Sequence, residues 1–216
     1  MKPDVMINDI SMDSLGWLRE SISFPPIKSQ TNTVTVPGRN APIRFSVINN
    51  RISYQPRTFK IVLVMLGYRD RFMQMVSDAS QKFAGVLSQV IFSEKPDVYA
   101  LGTLQLESEY DVDAHKGTLT ITCEDADAFL YHTQMTSLSF SGTVEAKLSC
   151  DFMPVVPSIS VTEDTKLEWM VDEDTLSKDL SAGTWTIPSL ELHQGENTVR
   201  ITTKGTVTFE YREGCL

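Results

Sequence analysis

Apolar and polar residues alternate at every second position through most of this 216-residue chain, and this alternation restricts the fold to one built mainly from β-strands. The stretch VRITTKGTVTFEY, residues 199–211, shows the pattern most clearly, because its large apolar side chains stand only at odd positions, at Val199, Ile201, Val207, Phe209 and Tyr211. We predict a terminal hairpin in which residue 201 pairs with 207 and residue 199 with 209. Residues 203–205 then form a three-residue loop that ends in a left-handed glycine, Gly205.

Further strands are predicted along the chain. The segments TNTVTV and IRFSVI alternate in the same way, and TFKIVLVML is apolar on both faces, as is typical of a central, covered strand. A second hairpin is predicted from the pairing of Val112 with Leu119, which leaves residues 114–117 as a four-residue loop closed by Gly117. The sequence therefore predicts a mainly β fold.

One segment has the period of a helix instead. In RDRFMQMVSDASQKFAGVL, the side chains of Phe72, Val76, Ala79 and Phe83 recur three or four positions apart, which places them on one helical face. We therefore predict one prominent helix in the N-terminal part of the chain, with this face buried against a sheet.

The charge distribution and two prolines divide the chain into two predicted domains. Residues 1–150 carry 14 basic and 16 acidic side chains, a net charge of −2, whereas residues 151–216 carry 5 and 12, a net charge of −7. Pro154 and Pro157 bracket the expected domain boundary, because proline cannot donate to a sheet ladder and stiffens a linker. We predict a β-sandwich or barrel-like domain with one α-helix over residues 1–153 and a smaller β-sandwich over residues 154–216.

The sequence gives no sign of a membrane segment or of a secreted disulfide framework. The longest apolar run, IVLVMLGY at residues 61–68, is much shorter than the roughly 18 apolar residues of a membrane span. The first residues have neither the apolar core nor the cleavage site of a signal peptide. Three cysteines, Cys123, Cys150 and Cys215, are too far apart for a metal knuckle or a redox pair. We expect free thiols, synthesis in a cytoplasm and no membrane insertion.

No motif predicts an active site, a metal or a cofactor. The histidines His115, His132 and His193 are scattered, and none has the i, i+4 spacing of a helical metal pair. The sequence contains no Gly-x-Ser-x-Gly elbow, and no glycine-rich phosphate loop connects a strand to a helix. We therefore predict a non-enzymatic protein without a cofactor or a metal.

Two charged segments are candidates for a protein interface. Residues 21–69, called the basic segment below, contain no acidic residue, and the segment carries the arginines Arg39, Arg44, Arg51 and Arg57. An acidic run follows at alternate positions, with carboxylates at Glu107, Glu109, Asp111 and Asp113. The run lacks the spacing of a calcium loop, since the twelfth position counted from Asp111 is Thr122 rather than glutamate. The arginines lack the clustering and the interleaved aromatics of a nucleic-acid binder, so we favour an acidic protein partner or a solvated strand face.

A small β-sandwich with exposed aromatic rings is also compatible with sugar binding. The candidate contacts are Trp169 and Trp185. The alternation favours core packing instead, because Trp169 shares a face with Leu167 and Trp185 shares one with Ile187. A carbohydrate-binding module that contacts a host cell wall is the alternative function.

The order of these parts resembles that of the distal tail proteins of siphophages. The resemblance covers nearly the whole chain and is carried, in order, by the stretches INDISMDSLGW, PPIKSQTNTVTVPGRNAPIRF, IFSEKPDVYALGTL, ITCEDADAFLY and IPSLELHQGENTVRITTKGTVTFEYREGCL.

The resemblance implies a structural virion protein at the tip of a phage tail. Members of that family form homo-hexameric rings through the N-terminal domain and join the tail tube to a tail-associated lysin, fibre or receptor-binding protein. They carry a smaller galectin-like or carbohydrate-module-like domain as well. A ring needs contacts between two different patches of neighbouring copies, and the basic segment of one copy facing residues 107–113 of the next would supply such a pair. We expect no specific nucleic-acid partner.

Overall fold

A computed structural model describes residues 4–45, 47–48 and 51–216 of the chain, with the backbone alone for residues 32, 44, 45, 47, 48 and 51. The chain forms two compact units, residues 1–130 and residues 131–216. The elements of the first unit, in chain order, are β1 (Val5–Ile7), β2 (Ile10–Ser11), a 3-10 turn (Asp13–Leu15), β3 (Leu18–Ser23), β4 (Asn32–Val34), β5 (Ile43–Phe45), β6 (Val47–Ile48), β7 (Arg51–Ile52), β8 (Arg57–Leu66), α1 (Arg69–Phe83), β9 (Leu87–Phe92), β10 (Val98–Thr103), β11 (Gln105–Asp111) and β12 (Lys116–Ala126).

Two antiparallel sheets form the body of the first unit. One sheet includes the strands β2-β1-β9-β10 in this order, and the other has the order β11-β12-β8-β3. Their inner faces meet where Phe59 of β8 packs against Phe92 of β9, with ring centroids 5.9 Å apart. Gly102 of β10 lies so close to β12 that a β-carbon there would be 2.4 Å from Sγ of Cys123. The first unit is therefore a β-sandwich, and the predicted class, mainly β with one helix, is confirmed.

The predicted central strand is β8. It pairs with β12 on one edge and β3 on the other, and its inward side chains Phe59, Ile61 and Leu63 are buried. The opposite face of the strand is covered only in part, because Val62 and Val64 are half-buried and Leu66 is 69% exposed. The strand is central within its sheet, but the prediction of burial on both faces holds for one face only.

The second predicted hairpin exists, but its register differs from the prediction. Leu119 of β12 lies opposite Ser108 rather than Val112, and Asp111 pairs with Lys116, so the connecting turn consists of residues 112–115. The Asp111 side chain fixes this turn, since its Oδ1 accepts hydrogen bonds from the backbone N–H groups of Asp113 and Ala114. The shift by four residues keeps Leu106 and Tyr110 on the inward face, but Val112, which was also predicted to face inward, lies in the turn and is 62% exposed. Face alternation alone cannot distinguish the two registers.

Gly117 is needed by the helix and not by the turn. It lies within β12, where a β-carbon would come within 2.1 Å of the Phe72 ring of α1. Phe72, Ala79 and Phe83 are the buried residues of α1, as predicted, and Val76 is half-buried. The helix ends at Phe83 because Ala84 is extended and the next residue, Gly85, has a left-handed backbone.

The second unit contains the remaining strands. They are β13 (Leu130–His132), which begins at the last residue of the first unit, β14 (Thr136–Cys150), β15 (Ser158–Val161), β16 (Thr165–Val171), β17 (Asp174–Leu180), β18 (Gly183–Thr186), β19 (Gly195–Tyr211) and β20 (Gly214–Cys215). In the described part of the chain, no helix is long and apolar enough to cross a membrane.

A ribbon of two long strands organises the second unit. The 15-residue β14 pairs with the 17-residue β19 along almost its whole length, from Thr136 opposite Tyr211 to Cys150 opposite Gly195. On its other edge β19 pairs first with β16 and then with β15, so the two halves of the ribbon belong to two layers. The register breaks at Gly142, whose left-handed backbone (φ 77°) lies where the ribbon changes layer.

Buried side chains from both layers form one core. The cluster includes Leu148 of β14, Ile159 of β15, Leu167 of β16 and both Val199 and Phe209 of β19. The second unit is thus a β-sandwich with its own core, in agreement with the predicted class.

The predicted terminal hairpin is wrong, because residues 195–211 form a single strand. Its inward residues are those predicted, but Thr203, assigned to the loop, also faces the core and is 8% exposed. The alternation runs through residues 203 and 205 without a change of phase, so it fits one strand as well as two. Gly205 has no left-handed backbone; a β-carbon there would lie 2.3 Å from Oγ1 of Thr162.

The two compact units meet at residue 130, whereas the boundary expected from the sequence lies at residue 153. Residues 131–153, which the charge pattern and the prolines assigned to the first domain, lie in the second unit, since β14 pairs with β19. The stretch from Pro154 to Pro157 connects β14 to β15 inside this unit. This connection is held by two backbone hydrogen bonds between Val155 and Leu192, of 3.1 and 2.8 Å. The two prolines therefore mark an internal connection of the second sandwich.

The close approach at Gly205 gives a first prediction. We expect Gly205→Ala to lower the free energy of unfolding of the second unit by about 1–3 kcal/mol, because the new β-carbon overlaps Thr162. Gly205→Asn is expected to destabilise the unit at least as much. Asparagine tolerates a left-handed backbone better than alanine does, but Gly205 does not have that conformation. Urea unfolding followed by tryptophan fluorescence measures both variants.

Gly142 supplies the matched control. It has a left-handed backbone, and a β-carbon at this position would meet no atom within 4 Å, so Gly142→Asn should be tolerated better than Gly142→Ala. If Gly205 followed the Gly142 pattern, with asparagine tolerated and alanine not, the residue would be a turn glycine after all.

Candidate functional site

An exposed acidic edge is the most distinctive polar feature of the first unit. β11 is the edge strand of its sheet, and Glu107, Glu109 and Asp111 project from one face of it into solvent. Side chains two positions apart on a strand are separated by about 6.8 Å. Asp113 is also exposed, in the turn that follows. These four carboxylates are called the acidic edge below. Glu107, Glu109 and Asp111 share one strand face, as predicted, whereas Asp113 lies beyond the end of the strand.

The sheet face beside the acidic edge is apolar and open. Following the register inward from Glu109, the next residues across are Thr118 of β12, Val64 of β8 and Leu18 of β3. Val64 is half-buried and Leu18 is 42% exposed. The helix does not cover this surface, because Phe72 packs on the opposite face of the sheet, against Gly117. An uncovered strip of aliphatic side chains beside a row of carboxylates is typical of an interaction surface.

The basic segment contains two small ladders that are separate from both sheets of the sandwich. β4 pairs with β5, and β6 pairs with β7. Of the side chains described within residues 25–43 and 52–56, none is buried. The exposed apolar side chains there include Val34 (49%), Val36 (37%) and Ile52 (49%). This part of the chain thus forms its hydrogen bonds without contributing to the core.

The four predicted interface arginines have different environments. Arg39 is exposed and follows the turn after β4. Arg44 lies on β5 and Arg51 on β7, but their side chains lie outside the described residues. The structure therefore places one of the four, Arg39, on the surface and leaves two of them located by backbone alone.

Arg57 was predicted to lie in the interface, but the structure buries it within the first unit. Its side chain is buried, with 6% exposed. Its Nε donates a 2.7 Å hydrogen bond to the carbonyl oxygen of Ala128, and its guanidinium carbon lies 5.2 Å from the centroid of the Phe24 ring. An exposed arginine and a buried one look alike in the sequence, and here the cation stabilises the fold of its own unit. We therefore exclude Arg57 from the candidate interface.

The candidate sugar-stacking residues are placed differently from each other. Trp169 is 6% exposed and its Nε1 donates to the carbonyl oxygen of Ser189, so it belongs to the core, as the alternation favours. Trp185 lies on the edge strand β18 and is 37% exposed, although core packing was favoured for it too. Its Nε1 donates to the carbonyl oxygen of Ser181, 2.9 Å away. Trp169 offers no face for a sugar ring, and Trp185 offers part of one.

The two buried thiols, Cys123 and Cys150, give no arrangement for nucleophilic catalysis. Burial raises the pKa of both Cys123 and Cys150 to about 11, so neither forms a thiolate nucleophile near neutral pH. His193 is exposed, with Glu191 3.9 Å away. His132 lies 3.3 Å from Asp151. None of these groups lies in the acidic edge or in the basic segment.

No protein-family model and no curated protein matches this sequence. The fold is nevertheless that of a known phage hub protein. The chain is similar to the crystal structure of the SPP1 Dit protein (gp 19.1), described as a paradigm of the hub adsorption apparatus in phages that infect Gram-positive bacteria. The TM-score is 0.70 at 11% sequence identity, and the match covers 98% of this chain and 99% of that one. At this identity the similarity establishes the fold, which confirms the resemblance at that level.

The environment of Arg57 gives a second prediction. Arg57→Ala is expected to lower the free energy of unfolding of the first unit by about 2–3 kcal/mol, because it removes a charge-assisted hydrogen bond to the Ala128 carbonyl oxygen and the contact of the guanidinium with the Phe24 ring. Arg39→Ala, at an exposed position, should change it by less than about 0.5 kcal/mol. Denaturant unfolding of the two variants makes the comparison. Equal, negligible effects would return Arg57 to the candidate interface.

Proposed function

We propose that this chain is a structural hub protein at the distal end of a phage tail, without enzymatic activity. The observation that carries the proposal is the fold match to the SPP1 Dit protein, which extends over both units and over nearly the full length of each chain. A match of this extent preserves both β-sandwiches and their order, not one common sandwich alone. The chain then acts in the virion tail, after synthesis in the bacterial host.

The proposed assembly is a homo-hexameric ring formed by the first unit. A closed ring requires a heterologous contact, in which one surface of a subunit binds a different surface of its neighbour. The basic segment and the acidic edge have the necessary opposite charges. With Arg57 excluded, the proposed contact pairs Arg39, Arg44 and Arg51 with the acidic edge.

Burial requirements support the same two surfaces. The basic segment exposes Val34, Val36 and Ile52, and the sheet beside the acidic edge exposes Leu18 and Leu66. A contact that brought these apolar groups together would remove them from water at roughly 25 cal/mol per Å². The charged groups would then select the partner and its orientation, while the aliphatic groups supply most of the affinity.

The partners follow from the position of such a hub. We propose the tail tube protein on one side of the ring and a tail-associated lysin, fibre or receptor-binding protein on the other. The role of the second unit as an outward module is part of this proposal. Sugar binding by that module is the alternative function, and the partial exposure of Trp185 is the observation that favours it.

Charge reversal on the acidic edge gives a third prediction. We expect the double variant Glu107→Lys and Glu109→Lys to weaken self-association at least tenfold, about 1.4 kcal/mol per contact, because it places like charges opposite the arginines. Raised salt should weaken association of the unmodified chain as well. Sedimentation velocity over a concentration series measures both effects.

The matched control reverses two exposed carboxylates of the second unit. Glu173→Lys with Asp174→Lys makes the same change in net charge away from the proposed contact and should leave association unchanged. Equal effects of the two double variants would show that net charge, and not the acidic edge, controls assembly. Association that resists both variants and salt would remove the electrostatic contact from the proposal.

A further inference from the structure

Three side chains with different donor atoms converge at one place in the second unit. A ring nitrogen of His132, a carboxylate oxygen of Asp151 and Sγ of Cys215 all lie within 4.8 Å of one another. The closest pair is His132 Nε2 and Asp151 Oδ2, at 3.3 Å. The residues come from β13, from the position directly after β14 and from β20, so only the folded chain brings them together.

Backbone and side-chain hydrogen bonds hold these three segments in place. The backbone N–H of His132 donates to the carbonyl oxygen of Glu213, two residues before Cys215. The Glu213 carboxylate in turn accepts a 2.9 Å hydrogen bond from the backbone N–H of Asp151. Arg212 donates through Nη1 to the carbonyl oxygen of His132, at 2.6 Å. Neighbouring groups therefore fix the backbone that carries each of the three side chains.

The arrangement differs from a catalytic triad. In a Cys-His-Asp triad the imidazole stands between the other two groups, and the thiol and the carboxylate bind opposite ring nitrogens. Here the Asp151 oxygen and the Cys215 sulfur lie within 4.8 Å of each other as well as of the imidazole. All three donor atoms therefore surround a common point, which is the geometry of a coordination site.

We propose that His132, Asp151 and Cys215 bind one Zn²⁺ ion. Nitrogen, carboxylate oxygen and thiolate sulfur are the three ligand types that zinc takes in proteins, whereas Ca²⁺ and Mg²⁺ take oxygen. Two atoms bound about 2.0 Å from a tetrahedral ion lie about 3.3 Å apart, which matches the observed His132–Asp151 separation. The fourth position faces solvent, since the His132 and Asp151 side chains are 36% and 48% exposed.

The local charge favours a cation at this point. The Glu213 carboxylate accepts the 2.9 Å hydrogen bond from the backbone N–H of Asp151, so a second carboxylate lies beside the three donor atoms. Zinc with one carboxylate and one thiolate forms a neutral centre, which removes the repulsion among these groups. The ion would cross-link the end of β14 to β13 and β20, which already pair with each other. The inference does not depend on the proposed hub function.

Zinc titration of the reduced, chelator-treated full chain tests the site. Isothermal titration calorimetry should give one ion per chain, with a thermal transition that rises as zinc is added. His132→Ala, Asp151→Asn and Cys215→Ser should each weaken binding about tenfold or more. Cys215 is the only partly exposed cysteine of the three, so zinc should also slow alkylation of the native protein by a maleimide.

His193→Ala is the matched control. His193 also stands next to a carboxylate, Glu191, in the same unit, but it is not part of the three-residue cluster. The variant should bind zinc as the unmodified chain does. The site is refuted if the unmodified chain does not bind zinc, if Cys215→Ser leaves the affinity unchanged, or if His193→Ala lowers it as much as His132→Ala does.

Discussion

The pairing of β14 with β19 is the constraint on which the second unit depends. These two strands run side by side through both layers of the sandwich. Two further strands, β15 and β16, pair directly with β19. The register break at Gly142 lets the ribbon change layer, and the connection at residues 162–164 crosses so close to Gly205 that a side chain has no space there. The smallest residue therefore stands at each of the two points where the backbone needs it.

Much of the fold could be predicted from the sequence, because apolar residues recur every second position in a strand with one buried face and every three to four positions in a helix with one buried face. The inward sets around Val199 and Phe209 are buried, and so are Phe72, Ala79 and Phe83 of the helical stripe. The pattern could not specify strand pairing. Residues 195–211 have the same alternation as one strand or as a hairpin, and Gly117 and Gly205 both resembled turn glycines, whereas each accommodates a side chain from a distant segment.

The candidate sites show the same limit. The acidic edge was predictable, because alternation places its strand carboxylates on one face. The burial of Arg57 was not, since its partners Phe24 and Ala128 are remote in sequence. The cluster of His132, Asp151 and Cys215 has no spacing motif, and a search for local metal patterns therefore missed it. Sites assembled from single residues of separate strands become visible only when the strand pairing is known.

We propose that the fold shared with the SPP1 Dit protein serves here to build a ring. Native mass spectrometry of the full chain over a range of concentrations tests it most directly. We expect a discrete assembly of six copies of the 24.2 kDa chain. A chain that stays monomeric at the highest concentration reached, or that forms a dimer and nothing larger, would contradict it.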